Sequence, residues 1–312
     1  MSAWLSLCAL FVNQRIVNMK KFDRSLVALD LSGMDKNLLR YFSFMSPLLD
    51  TKRAYFVHII PDFSLPKDID VEFHKLFSTD YPIDEKIEDK LSLDVAEVLN
   101  GHAFETRVDV IEGKPYEKLM HWAEVKAIDL LVVGHKEKSE GSGITVRRVA
   151  RKADYNLLFV PEKAQPKLRD VVVPIDFSEN SLRALQVALR LQERTDEINI
   201  RVVYVVEMPP SDYYMRPAES GGFRAVLVDS AKTAYRNFLN EYGIDGTRLE
   251  PVFLENDYGN TAVRIDEYLR TQPADLLIMG AQGHTAFESF VFGSVTERLL
   301  ERCTRLPILV IR

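Results

Sequence analysis

The chain has 312 residues, 46% apolar and 28% charged, which is the make-up of a water-soluble globular protein long enough for two domains. Forty Lys and Arg against 46 Asp and Glu leave a net charge of −6 with no basic block, so the chain lacks the concentrated positive charge that binds a nucleic-acid backbone. Cys8 and Cys303 form neither a CxxC pair nor a His/Cys cluster, which excludes a disulfide framework or structural zinc site and points to reducing cytosol.

In chain order, residues 3–12 (AWLSLCALFV) form an apolar run that stops at Asn13, Gln14 and Arg15. That is well short of the ~20 residues a bilayer span needs. No positive charge precedes the run and no small-residue cleavage site follows it, so it does not read as a signal peptide, and no membrane partner is expected. Residues 1–21 read as an extension, either idle or a helix docking on the body of the protein or on a partner. Met19, followed by Lys20 and Lys21, marks an alternative start.

From residue 22 onward, short β-rich runs alternate with longer helical patterns. The first series predicts strands near 25–30, 53–60, 104–110, 129–134 and 156–161. The stretch PEKAQPK at 161–167 has two prolines and no helical period, so residues 162–167 read as a linker. The second series predicts strands at 170–176, 198–207, 249–255, 274–280 and 307–312. Near-continuous Val, Ile and Leu in these runs is the mark of strands covered on both faces of a parallel sheet. Helices fall between them at 178–194, 223–242, 260–271 and 293–304. In the first of these, Leu182, Leu185, Ala188, Leu189 and Leu191 keep a helical period, and Ser178 with Glu179 suits the N-terminus. Residues 61–82 and 208–221, proline- and aromatic-bearing but polar, read as surface loops or flaps.

The two series are copies of one unit. An offset of 146 residues carries Asp30, Gly113, Asp129 and Gly134 onto Asp176, Gly259, Asp275 and Gly280. Past that point LLFV at 157–160 matches ILVI at 308–311 with an offset of 151, so the first copy is five residues short between its fourth and last strands. Strand, helix, strand repeated this way predicts an α/β chain of two tandem, doubly wound, parallel five-stranded sheets. The expected domains are residues 22–161 and 168–312.

In such sheets ligands bind beyond the carboxyl ends of the strands, where the strand order reverses. There the second copy reads GAQGHTAFESFVFGSV: Gly280, two residues, Gly283, nine residues, then Gly293, Ser294 and Val295 opening a helix. Glycines let the backbone approach phosphate oxygens, and a helix start turns N–H groups toward an anion. The spacing stands out because the chain has only 14 glycines, about 4.5% against the usual ~7%. His284 reads either as a phosphate donor or as a plain loop histidine. Asp176 reads either as an acceptor for ribose or adenine groups or as a helix-capping carboxylate. The first copy departs from the pattern: Glu137 stands at the second glycine, flanked by Lys136 and Lys138, the loop to Gly143 is short, and Ala28 replaces Pro174. An acidic group is electrostatically wrong at a phosphate cradle, so this copy reads as a degenerate site. Gly141, Ser142 and Gly143 remain as places for a smaller anion.

Gly-x2-Gly-x9-Gly-Ser resembles the nucleotide-binding motif of the universal stress protein family. DLLIMG, LPILVIR and VVVPIDFSENSLRAL are similar to that family's fourth, fifth and first strands with their flanks. The resemblance covers 168–312 and, more weakly, 22–161. It implies an adenine nucleotide alpha hydrolase-like, Rossmann-like fold that binds ATP, with Mg2+ commonly accompanying the triphosphate. By position, Pro174, Ile175 and Asp176 would line the adenosine pocket and Val205 would offer backbone hydrogen bonds to adenine. Gly280 would sit against ribose, and Gly283, Gly293, Ser294 and Val295 would bind phosphates. Single-domain relatives pair through their last strands, which implies pairing of 156–161 with 307–312 as a pseudo-dimer within one chain. The implied role is stress-response signalling in the cytoplasm, with nucleotide-dependent binding of a protein partner or self-association.

Two alternatives stay open. An ATP-using enzyme of the related pyrophosphatase class would carry Ser-Gly-Gly-x-Asp after strand one, where this chain has Ser32-Gly33-Met34-Asp35, one residue short. The other is a structural tandem domain with no nucleotide. No nucleophile elbow, metal spacing or P-loop lysine appears, so no catalytic residue is assigned, although slow ATP hydrolysis or autophosphorylation is reported within the family. His58, aligned with Tyr204, reads as a packed strand-end residue rather than a base.

Overall fold

Runs of branched residues and amphipathic helices build the same unit twice in the computed structural model, which describes residues 22–61, 83–136, 154–209, 217–257, 259–283 and 292–312. Residues 21–167 form one unit and residues 168–312 the body of the other. The first unit runs β1 (Arg24–Leu29), α1 (Asp35–Leu48), β2 (Arg53–Ile60), α2 (Ile83–Val98), β3 (Glu105–Glu112), α3 (Pro115–Val125), β4 (Leu130–His135) and β5 (Asn156–Pro161). The second runs β6 (Asp170–Pro174), α4 (Glu179–Arg194), β7 (Asn199–Glu207), α5 (Pro217–Glu241), a short 3-10 turn, β8 (Leu249–Asn256), α6 (Thr261–Thr271), β9 (Leu276–Gly280), α7 (Ser294–Arg302) and β10 (Ile308–Ile311). The strand orders are β3-β2-β1-β4-β5 and β8-β7-β6-β9-β10, and within each unit neighbouring strands run parallel.

Covered strands are fully apolar at their centres: Leu26, Val27, Leu131, Val132, Val172, Leu277 and Ile278 are completely buried. The outer strand β3 instead carries Glu105, Arg107 and Asp109 on partly exposed positions, charges that keep a strand from pairing with strangers. The repeat is visible in the backbone. Leu31 and Phe177, 146 residues apart, both hold positive φ (60° and 64°), as do Gly113 (135°) and Gly259 (67°) at the starts of α3 and α6. Asp129 and Asp275 tie the amino ends of the central strands, accepting the N–H groups of Arg24 and of Arg169 and Asp170 at 2.9 Å. The five-residue shortening also shows: Gly134 pairs with Val160, but Gly280 pairs with Ile311.

Helix α4 follows the sequence reading. Ser178 caps it by accepting the Ser181 N–H, and Leu182, Leu185, Ala188 and Leu191 are buried while Leu189 sits half-buried on the flank. Replacing Ser178 by alanine is expected to cost about 1 kcal/mol, read as faster hydrogen exchange over the first turn of α4.

Several boundaries differ from expectation. β1 and β6 end at Leu29 and Pro174, ahead of Asp30 and Asp176, because the positive φ at Leu31 and Phe177 turns the chain there. Helix α5 starts at Pro217 rather than 223. The stretch 208–221 is thus not one loop: Met208 is buried against Val206 and Ala231, and 217–221 is helical. Residues 1–21, most of the 61–82 stretch, the loop with Glu137, Lys138, Gly141, Ser142 and Gly143, and His284 lie outside the described residues.

Candidate functional site

The strand order reverses at β6 in the second unit and at β1 in the first. A crevice therefore opens beyond β6 and β9, and another beyond β1 and β4. In the second unit Pro174 ends β6. The N–H of buried Ile175 donates to Val203 O at 2.9 Å. Asp176 Oδ1 then accepts the Ser178 N–H at 3.1 Å, a turn stapled by its own aspartate. Phe177, held at positive φ, stacks on Tyr204 with ring centroids 4.7 Å apart. Burial first, then the charges of Asp176 and Glu207, raise the Tyr204 phenol above its usual value.

From the other side, the Ala281 N–H donates to Ile311 O at 2.8 Å and the Gly293 N–H to Ala281 O at 2.9 Å. Thr296 Oγ1 donates to Gly280 O at 3.0 Å. These three bonds set the start of α7 over the end of β9. A Cβ on Gly283 would collide with Asp176 Oδ2, and one on Gly293 would lie 3.5 Å from Gly283 N. Asp176, Gly283 and Gly293 thus converge on the crevice with the first turn of α7. Ser294 is exposed there and Val295 half-buried. Gly293 caps α7 without a side-chain hydrogen bond, and the first N–H groups of a helix attract an anion.

The ladder between β6 and β7 stops at the Pro174–Val203 pair. In a strand, the N–H and C=O of one residue point to the same edge, and residues two apart share that edge. Val203 faces β6, as its bond from Ile175 shows, so Val205 turns its backbone groups to the same side beyond the end of β6. Its side chain is buried. In the first unit the corresponding ladder runs one pair further, to Leu29–His58.

Gly280 serves packing. A Cβ there would stand 2.8 Å from the carbonyl carbon and from the Cβ of Asn180 in the first turn of α4. The two readings of Asp176 resolve in part, since its Oδ1 ties the turn before the helix while Ser178 is the N-cap.

The first unit handles the same place differently. Asp30 Oδ2 is paired with Lys136 at 2.5 Å, at the position equivalent to that of Asp176 in the second unit. Burial opposes ionisation of Asp30, but the bond and charge of Lys136 hold its carboxyl below the usual value. Asp35, where the second unit has Ser181, is 8% exposed. It accepts the N–H groups of Asp30 (3.2 Å) and Leu31 (2.8 Å), stapling the positive-φ turn. Burial, and then the charge of Asp30, push it up to about 6 despite those two bonds. A cavity of about 370 Å³ opens between β1, β2, β4, α1 and α3, lined by Ala28, Asp35, Leu38, His58, Leu119 and Gly134 among others. His58 is a packed strand-end residue, with Nδ1 3.0 Å from Leu29 O.

Sequence reasoning passed over the cavity, the Lys136–Asp30 pair and the part played by Asp35. The available signal was an aspartate in the first turn of an amphipathic helix, where its counterpart is serine. The shift of Asp35 makes a pH prediction. A carboxyl whose folded pKa is raised binds its proton more tightly in the folded than in the unfolded chain. Stability therefore falls as pH rises from the unfolded value near 3.8 through about 6. Wild type should lose on the order of 2–3 kcal/mol relative to Asp35→Asn between pH 4 and pH 7, measured by urea unfolding of both chains.

The Universal stress protein family model matches this chain twice, over residues 21–161 and 167–312. A universal stress protein of Methanocaldococcus jannaschii is 28% identical over 146 residues, 46% of this chain and 82% of that protein. Among solved structures, a universal stress protein from Archaeoglobus fulgidus superposes with a TM-score of 0.63 at 16% identity, covering 93% of this chain and 98% of its own. A putative universal stress protein from Pseudomonas aeruginosa gives 0.60 at 13% identity, covering 94% of each chain. At these identities the structural likeness is one of fold. Among the described residues no helix is long and apolar enough to cross a membrane.

Proposed function

The chain belongs to the universal stress protein family, and from that premise we propose that it is a cytoplasmic, ATP-binding stress-signalling protein whose nucleotide sits in the second unit. The observation that carries this is the convergence of Asp176, Gly283 and Gly293 on the side-chain-free N-cap of α7. Gly293 is the telling residue. Its φ is −64° and an added Cβ would meet nothing closer than 3.5 Å, so the fold itself admits a side chain there. A phosphate approaching the backbone does not.

The triphosphate lies against Gly283, Gly293, Ser294 and Val295, where first-turn N–H groups and the Ser294 hydroxyl donate to it. Gly280 borders the ribose and Asp176 accepts from it, while Pro174 and Ile175 wall the adenine, whose hydrogen-bonding edge meets the backbone of Val205. Mg2+ accompanying the triphosphate takes most of its ligands from phosphate oxygens and water. Among the described residues there is no group of three His, Cys, Asp or Glu side chains to cage it. In the first unit Lys136 already neutralises Asp30, and that site does not take ATP by these contacts. Nucleotide occupancy then biases which protein partner the chain engages.

Native mass spectrometry with calorimetry tests the reading: one ATP per chain is expected. Two per chain would overturn the asymmetry, and none at millimolar ATP would overturn nucleotide binding altogether.

A further inference from the structure

The first unit's cavity matches the second unit's crevice by position but not by chemistry. We propose that it is a binding site for a small organic cation with an apolar body, an alkyl- or arylalkylammonium. Its walls are apolar, among them Ala28, Leu38, Val57, Leu119 and Val133, and its volume of about 370 Å³ suits a ligand of one or two rings. Its polar side chains are Asp30, Asp35 and His58. Both aspartates are carboxylates. The His58 Nδ1 lies 3.0 Å from the Leu29 carbonyl oxygen, so Nδ1 carries a proton that is engaged with the backbone.

The charge balance selects the ligand. Lys136 is bound to Asp30 at 2.5 Å. Asp35 has no cation against it among the described residues; its partners are two backbone N–H groups and the side chain of Asp30, whose charge is of like sign. A buried carboxylate without a cation is costly, as the upward push on its titration shows. An ammonium on an apolar stem supplies the missing charge and fills the walls together. A phosphate would meet two carboxylates, and a neutral apolar molecule would leave Asp35 as it is.

Calorimetry on the full chain, with millimolar ATP present throughout to occupy the second unit, tests this using tryptamine, tryptophol and indole-3-acetate, which share a ring and differ in charge. Tryptamine is expected to bind one per chain, at least about tenfold tighter than tryptophol, with indole-3-acetate weaker than either. Asp35→Asn should bring tryptamine down to the level of tryptophol. Leu119→Trp, which fills the cavity from α3 and leaves the carboxylate alone, should abolish binding of both and decides the matter should the Asp35 variant not fold. Equal binding of amine and alcohol, an amine preference that survives Asp35→Asn, undiminished binding to Leu119→Trp, or no binding of tryptamine would each overturn the proposal. Because ATP is only a blocking agent here, a failure of ATP to bind leaves the tryptamine comparison intact.

Discussion

A Gly283→Val chain is expected to bind ATP at least about 100-fold more weakly than wild type, a loss of about 2.7 kcal/mol, while remaining folded. The new Cβ runs into Asp176 Oδ2. The carboxylate must swing away and give up its 3.1 Å bond to the Ser178 N–H, which costs the turn about 1 kcal/mol. The larger effect falls on the ligand, because valine occupies the space between Asp176 and the α7 N-terminus that the phosphates need. Gly293→Ala separates the two effects. Its Cβ makes only ordinary contacts and its φ suits any residue, so stability should hold within about 0.5 kcal/mol while ATP affinity falls. Calorimetric titration beside urea unfolding reads both quantities. Undiminished ATP affinity in both variants would remove the second unit's crevice as the nucleotide site.

The fold was legible in the sequence to a degree the site was not. Buried parallel strands need apolar residues on both faces, and helices need a stripe with caps; both demands are written in consecutive residues such as VVVPID and SENSLRAL. Strand ends were less legible, because the turn after β1 and β6 is set by a positive φ at Leu31 and Phe177, residue types that do not announce it. The phosphate-type loop was readable as a spacing of glycines, yet the separate reason for each glycine was not. Gly280 answers to a helix backbone, Gly283 to a carboxylate, and Gly293 to nothing within van der Waals crowding in its own chain. The first unit was the least legible. Its departures from the motif pointed to loss, whereas the Lys136–Asp30 pair and the buried Asp35 come together only in space, across more than 100 residues of chain in the first case.

The repeat itself offers the sharpest stability contrast. Gly134 and Gly280 occupy equivalent places, 146 residues apart, near the ends of β4 and β9, and neither has a positive φ. Alanine at 280 sets its Cβ 2.8 Å from the carbonyl carbon of Asn180 and 3.0 Å from its oxygen. Those atoms belong to the first turn of α4, which Ser178 and the Asp176 turn hold in place. The helix must move as a body, and a cost of about 2–3 kcal/mol is expected. The three atoms nearest an alanine Cβ at 134 all belong to the Met34 side chain, with Sδ at 2.8 Å and Cε at 2.9 Å. A thioether is flexible, and Met34 borders the open cavity into which it can turn. The cost there should stay below about 1 kcal/mol. Hydrogen exchange of β9 amides in one variant and of β4 amides in the other measures each unit separately. Equal losses would mean that the cavity beside Met34 is not free to receive it. The same rotation makes Gly134→Ala a partial occupant of the first unit's cavity, so tryptamine should bind that variant more weakly while ATP is unaffected.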